Sequence, residues 1–246
     1  GINYFDVAPQ YGNAEERLGP ALEPYRDEVF LACKTLGRES TAALEDFERS
    51  LTRLRTDHID LYQLHAIESM EDVERLTASG GTLELLEELK RAGRIRFAGF
   101  SAHNEDAALR LLELYDFDSV LFPINWGTWH RGDIGKRIVE SCADRGIALL
   151  ALKALAHRRW KEGETRSWSK TWYKPVETTE QAARALRFAL SRPVTAAVSP
   201  GHEELLWWAC DAADNFKPLS EAEEEAIAAE ASAMDPLFSR SVTSIN

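Results

Sequence analysis

Short apolar runs alternate with amphipathic stretches along most of this chain, and that alternation leaves few folds open. Ile2–Ala8, Val29–Cys33, Ile59–Leu64, Ile95–Phe100, Ser119–Pro123, Ile147–Leu152 and Val194–Val198 read as strands. Helical periodicity fills the gaps, at Ala14–Leu22, Thr41–Leu54, Leu83–Arg91, Asp106–Tyr115, Ile134–Arg145, Thr179–Leu190 and Glu203–Ala213. Thr41–Leu54 is the clearest case, with Leu44, Phe47, Leu51 and Leu54 expected on one face, and Asn13 is expected to cap the first helix. Strands that are apolar throughout are buried on both sides, which calls for a parallel sheet with helices outside it. The 246 residues match the roughly 250 of an α/β barrel. Seven strands are one short of a closed eight-stranded barrel. Two segments depart from the rhythm: a long loop over residues 154–177 and an acidic C-terminal helix over 219–233. Residues 1–246 read as a single domain.

Each strand ends at a polar group. Asp6 (with Tyr11 just beyond), Lys34, His65, Ser101, Asn125, Lys153 and Ser199 all fall at or just past an apolar run. In parallel strands such groups converge on one mouth, where α/β barrels carry their chemistry. Lys34 and Asp6 read as a buried pair on neighbouring strands, since buried charges persist only when paired or used. A lysine beside Tyr11 is expected to favour the phenolate and lower the phenol's pKa from about 10. A phenol so placed can act as a general acid toward a carbonyl oxygen, with His65 orienting that oxygen. An ion-pair network that only stabilises a barrel rim is the other reading of the same residues.

Composition narrows the function. The net charge of −12 argues against nucleic acid and anionic membranes, both of which reward basic surfaces. No apolar run reaches the roughly 20 residues of a membrane span. Three widely separated cysteines, Cys33, Cys142 and Cys210, make neither a disulfide framework nor a metal knuckle, and fit a reducing cytoplasm. Asp6 and His65 alone do not supply the ligand cluster that a metal-dependent isomerase or hydrolase needs, so no metal site is expected.

The segments FDVAPQYGNAEERLG, LACKT, IDLYQLHA and GFSAHN, in that order and spacing, resemble the successive signatures of the aldo-keto reductases. The likeness runs from residue 1 to about residue 223, where FKPLSEAEEE is similar to the family's closing segment. It implies an α/β fold, a (β/α)8 TIM barrel, with the first β/α unit absent from this chain. It also implies a nicotinamide cofactor, NADPH or less often NADH, and a small-molecule carbonyl substrate reduced to an alcohol. The family's Asp, Tyr, Lys and His correspond to Asp6, Tyr11, Lys34 and His65. The Tyr is the proton donor, and the cofactor supplies the hydride. Ser101 and Asn125 correspond to positions near the nicotinamide. Lys153 lies in a segment that runs beside the pyrophosphate. Ser199 and Gly201 open the segment that holds the adenosine end, where N–H groups at a helix start meet phosphate.

The departures carry expectations of their own. A barrel without one strand exposes strand edges, so either residues upstream of Gly1 supply the missing unit or a homo-oligomer covers the edges. Glu203 and Glu204 stand where the family places a basic residue for the 2′-phosphate, and Leu121 stands where a carboxamide-binding Gln is usual. The 154–177 loop gathers Arg158, Arg159, Lys161, Arg166, Lys170 and Lys174, a basic cluster placed to cover a pyrophosphate or an anionic substrate. Its Trp160, Trp168, Trp172 and Tyr173, with Trp126 and Trp129, could wall a substrate pocket or anchor the loop. The expected activity is an NAD(P)H-dependent aldehyde or ketone reductase. The rival is a catalytically silent barrel that serves as a binding or regulatory subunit.

Overall fold

The computed structural model describes residues 1–240; the last six residues of the expected 1–246 domain lie outside the described residues. Strand and helix alternate as β1 (Tyr4–Asp6), α1 (Ala14–Leu22), β2 (Phe30–Thr35), α2 (Ser40–Leu54), β3 (Ile59–Ile67), α3 (Met70–Thr77), α4 (Thr82–Arg91), β4 (Ile95–Ala102) and α5 (Glu105–Leu114). The chain continues through β5 (Ser119–Pro123), a π-helical turn (Gly127–Arg131), α6 (Lys136–Arg145), β6 (Ala148–Leu152) and a hairpin of β7 (Ala156–Arg159) and β8 (Tyr173–Pro175). It closes with α7 (Thr179–Leu190), β9 (Ala196–Ala197), α8 (Glu203–Asp214) and α9 (Glu221–Ala231). The chain divides into two compact units, Gly1–Val120 and Leu121–Asn246, with the boundary inside β5.

In the first unit β1 to β4 lie side by side in chain order, parallel throughout, with Asp6 opposite Ala32, Lys34 opposite Gln63 and Leu64 opposite Phe100. All four carboxyl ends therefore share one edge. Leu31, Ala32, Cys33, Ile59, Leu61, Tyr62 and Leu64 are buried, as strands covered on both faces require. The opposite edge is pinned by Asp60, whose carboxylate accepts from the Leu31 N–H at 2.9 Å and pairs with Arg26 at 3.0 Å and Arg96 at 2.6 Å. Helix α1 crosses α2 at Gly19, where a Cβ would lie 2.2 Å from the Arg53 carbonyl oxygen, so only glycine allows the approach.

Three local expectations are corrected here. Leu44 is 39% exposed, and the buried face of α2 is Ala43, Phe47, Ser50, Leu51 and Leu54. Asn13 precedes α1 but its side chain makes no capping bond. Helix α3 was not anticipated; Ser69 and Asp72 begin it with a reciprocal capping box.

In the second unit β5, β6 and β9 follow one another in sheet order, with β9 parallel to β6. The 154–177 segment is not a plain loop. It holds the antiparallel β7–β8 hairpin, whose Ala156 and Tyr173 bury against Leu237 and Phe238. Acidic α9 is held by α7 and the turn after it: Arg184 pairs with Glu230, Arg187 with Glu223 and Arg192 with Glu224. Among the described residues no helix is long and apolar enough to cross a membrane.

Candidate active site

Strand β1 stops at Asp6, and a tight turn follows. The Tyr11 N–H donates to the Ala8 carbonyl at 3.0 Å, which places Pro9 and Gln10 at the two central positions. Proline presets the first of these. Gly12 then takes φ = 62°, and α1 begins two residues later. The turn thus delivers Gln10 and Tyr11 to the edge where β2 and β3 end.

Lys34 is completely buried near the end of β2. Its ammonium donates to Asp6 Oδ1 and, at 3.2 Å, to the Val7 carbonyl. The other carboxylate oxygen of Asp6 accepts from the Tyr4 hydroxyl at 3.3 Å. Burial is the largest influence on Lys34 and works against its charge. The Asp6 and Tyr11 charges and the Asp6 hydrogen bond outweigh it, so its pKa is raised and it is an ammonium at neutral pH. Lys34 Nζ lies 5.4 Å from the Tyr11 ring centroid.

Tyr11 reverses an expectation. Its pKa is raised, not lowered: burial of the hydroxyl dominates, and the opposing pull of Lys34 is the smaller influence. Tyr11 is 46% exposed as a residue, yet burial is still the largest influence on its hydroxyl. Desolvation penalises a phenolate. Tyr11 is therefore a phenol across the neutral range, the form able to give a proton.

His65 sits in a distortion of β3. The register against β4 shifts between Leu64 and Ile67, and Ala66 takes φ = 55°, a region where residues other than glycine are uncommon. Two neighbours hold this bulge. The Ala66 N–H donates to Ser101 Oγ at 2.8 Å. The Arg38 guanidinium donates to both the His65 and Ala66 carbonyls at 3.0 Å and is itself fixed by Asp72 at 2.8 Å. Beyond the backbone, His65 Nδ1 is 3.0 Å from Gln10 Oε1, and the Tyr11 ring meets the imidazole edge-on, centroids 5.9 Å apart. Asp6, Tyr11, Lys34, His65 and Ser101 are thus brought together in the first unit. Tyr4, Gln10, Arg38 and Asp72 join them without having been singled out in the sequence. Gln10 lies inside the FDVAPQYG motif and could have been found there; nothing in the sequence marks Arg38 as buried.

The other expected residues belong to the second unit. Asn125 is buried and opens the π-helical turn, its Oδ1 accepting from the Thr128 N–H at 3.0 Å and its carbonyl from the Trp129 N–H at 2.9 Å. Its amide nitrogen is buried with no protein partner. Lys153 has φ = 62° and places its ammonium 5.5 Å from the Trp172 ring centre and 5.1 Å from that of Tyr173. Ser199 and Gly201 lie in the loop that leads into α8, and no atom comes within 4 Å of where a Gly201 Cβ would be. Two residues of the expected basic cluster are paired within the loop: Arg158 and Lys174 both pair with Glu164, and Lys174 also with Glu177. Trp126 is buried with Arg184 against its ring, and Trp129 packs on Phe188 and Arg192. Those two tryptophans anchor the turn to its neighbours.

The chain is similar to known proteins in sequence and in fold. The sequence of Aldo-keto reductase YhdN from Bacillus subtilis strain 168 is 41% identical over 115 residues, which cover 41% of this chain and 33% of the relative. An uncharacterized oxidoreductase of the same organism, YqkF, is 38% identical over 116 residues, covering 42% and 36%. The matched stretch is thus about a third of each relative's length. The holo form of aldo-keto reductase AKR11C1 from Bacillus halodurans superposes with a TM-score of 0.68 at 24% identity, covering 95% of this chain and 84% of that one. That likeness establishes the fold as the expected (β/α)8-barrel class, of which the described residues supply a seven-stranded sheet. The model of the Aldo/keto reductase family matches residues 1–226, nearly the whole chain, and the chain belongs to that family.

Proposed function

We propose that the protein interconverts a small aldehyde or ketone and its alcohol with a nicotinamide cofactor, with Tyr11 as the proton donor. One observation carries the reading: a completely buried lysine, kept charged by Asp6, stands beside a protonated phenol at the carboxyl edge of a parallel sheet. A structural rim network has no need of a phenol at its centre.

In each unit, taken by itself, there are residues that suit a nicotinamide cofactor. Asn125 offers a buried amide N–H with no protein acceptor, which a carboxamide oxygen would satisfy. Ser101 Oγ accepts from Ala66 and keeps its own hydrogen to donate. Lys153, Ser199 and Gly201 would meet the phosphates, the last two ahead of the α8 N-terminus. When bound, the nicotinamide supplies the hydride. Tyr11 gives its proton to the carbonyl oxygen, and the Lys34 ammonium stabilises the phenolate left behind. Asp6 keeps Lys34 charged and in place, with Tyr4 on its second oxygen. His65 orients the substrate oxygen. Glu203 and Glu204 occupy the first turn of α8, where carboxylates oppose a 2′-phosphate, so NADH is the better match. The reading treats residues 1–246 as one domain, a view supported by the span of the family match.

The test is titration with NADH and then NADPH, followed by quenching of the seven tryptophans. Saturable binding, tighter for NADH, is expected. A folded sample that binds neither overturns the proposal.

A further inference from the structure

The first unit buries a polar group that the proposed chemistry does not use. Successive residues of a strand turn to opposite faces. Cys33 Sγ lies 3.5 Å from Glu15 Oε1 on α1, and the Tyr62 hydroxyl donates to the Ala43 carbonyl on α2, so these two side chains face the helices. Lys34 and Gln63 come one residue later and are register partners across β2 and β3; they face the other way. Gln63 is completely buried, and neither its amide oxygen nor its amide nitrogen has a hydrogen-bond partner in the protein. Its register partner on β4 is Gly99. A Cβ on Gly99 would lie 2.3 Å from Ser119 Oγ and 3.2 Å from Leu61 Cδ1, so the absent side chain is what lets the Ser119 hydroxyl reach in beside Gln63. Ser119 is also buried, and its hydroxyl likewise has no partner. Neighbouring strands lie about 4.8 Å apart. The amide and the hydroxyl therefore converge within the span of one small bridging molecule, yet do not bond each other.

We infer that Gln63 and Ser119 bind one internal water on the inner face of the sheet, on the strand beside Lys34. The groups themselves select it. The amide offers two donors and an acceptor, and the hydroxyl both donates and accepts, so the occupant must do both as well. Internal waters make about three hydrogen bonds to groups of this kind. A cation is opposed by the Lys34 ammonium on the adjacent strand. An anion would have to draw that ammonium away from Asp6 and the Val7 carbonyl, to which it already donates. Burial of both side chains leaves no entry for a larger ligand. A buried amide left without any partner is costly, and the water removes that cost. It is held whether or not a nicotinamide binds.

The experiment uses the full chain labelled with 15N, without any added ligand. The side-chain amides of Gln10, Gln63 and Gln181 are assigned by comparison with Gln10→Met and Gln181→Met. Water-selected NOE and ROE spectra are then recorded on the wild type. The Gln63 amide hydrogens are expected to show cross-peaks of opposite sign in the two spectra at the water frequency, the mark of a water that tumbles with the protein. Urea unfolding of Gln63→Met, Ser119→Ala and the double variant gives a second reading, because its sign depends on the water. Removing a buried amide that has no partner stabilises a protein, whereas removing one that is hydrogen-bonded to a held water destabilises it. The unfolding constant of Gln63→Met is expected to rise roughly five- to tenfold, the scale of one hydrogen bond. The double variant should lose less than the two single variants combined, since both side chains hold the same water. A wild-type Gln63 amide with no water cross-peak overturns the inference, and so does a Gln63→Met variant at least as stable as the wild type, or a double variant whose losses simply add. The wild-type spectrum decides the matter by itself if Gln63→Met does not fold.

Discussion

Replacing Lys34 by methionine tests the core of the site as a matter of energy. The lysine side chain is fully buried and that of Asp6 is 6% exposed. The substitution keeps most of the apolar stem and removes the ammonium. Asp6 is then a buried carboxylate with only the Tyr4 hydroxyl as a hydrogen-bond donor, and the Val7 carbonyl loses its bond from Lys34. Breaking a buried pair from one side costs about 3–5 kcal/mol, whereas removing both charges is often close to neutral. For a chain of this size each kcal/mol is worth roughly 2–4 °C in Tm, so Lys34→Met should melt roughly 6–20 °C lower than the wild type. The assay is thermal and urea unfolding followed by far-UV circular dichroism at pH 7, on the wild type, Lys34→Met, Asp6→Asn and the double variant. The double variant should recover at least half of what Lys34→Met loses. Independent sites add to within about 0.3–0.5 kcal/mol. A coupling below that limit, or a Lys34→Met variant that loses less than about 1 kcal/mol, would refute the claim that these two groups are a desolvated, interdependent pair.

Thiol chemistry and acid give two further tests. Burial pushes the Cys33 thiol up to about 12 and the Cys142 thiol up to about 11, and both side chains are buried, whereas Cys210 is partly exposed. Ellman's reagent should therefore titrate one fast thiol in the native protein and three after denaturation; two or more fast native thiols would contradict the burial. Glu223, which accepts from Arg187 and from the Ser220 N–H, has its carboxyl held down to about 2. Its contribution is thus present above the ordinary carboxyl value and is lost as pH falls through about 2. Hydrogen exchange in α9 should accelerate as pH drops from about 4.5 toward 2, after correction for intrinsic rates, and Arg187→Ala should show the faster exchange already at pH 6. Unchanged protection in either case would mean that this pair does not hold α9.

Much of the site was legible because its signals are local. Asp6, Lys34 and His65 each terminate an apolar run, and a parallel sheet brings such ends to one edge whatever the details of packing. The strands themselves run on past these residues: β2 includes Lys34 and β3 continues through His65 to Ile67, because hydrogen bonding does not stop where hydrophobicity does. What escaped was set by tertiary contact. The bulge at His65 depends on Arg38 and Ser101, which lie 27 and 36 residues away in sequence, and no local pattern encodes it. The direction of the Tyr11 shift was misjudged because a sequence shows the neighbouring lysine but not how deeply the hydroxyl is packed. The 154–177 segment keeps its basic excess, but Glu164 ties Arg158 and Lys174 together within a hairpin that its polar, tryptophan-rich sequence disguised. Helix α3 is only eight residues long, too short for periodicity to stand out against the loops around it.

Single-turnover oxidation of bound NADH by benzaldehyde, compared between the wild type and Tyr11→Phe, tests the central claim most directly. A positioned general acid contributes roughly 10²–10⁴-fold. The account predicts oxidation by the wild type and a loss on the order of 10²-fold or more in Tyr11→Phe, with NADH affinity unchanged by tryptophan quenching. A Tyr11→Phe variant that turns over at the wild-type rate, or a wild type that binds NADH but oxidises it with no aldehyde or ketone offered, would contradict it.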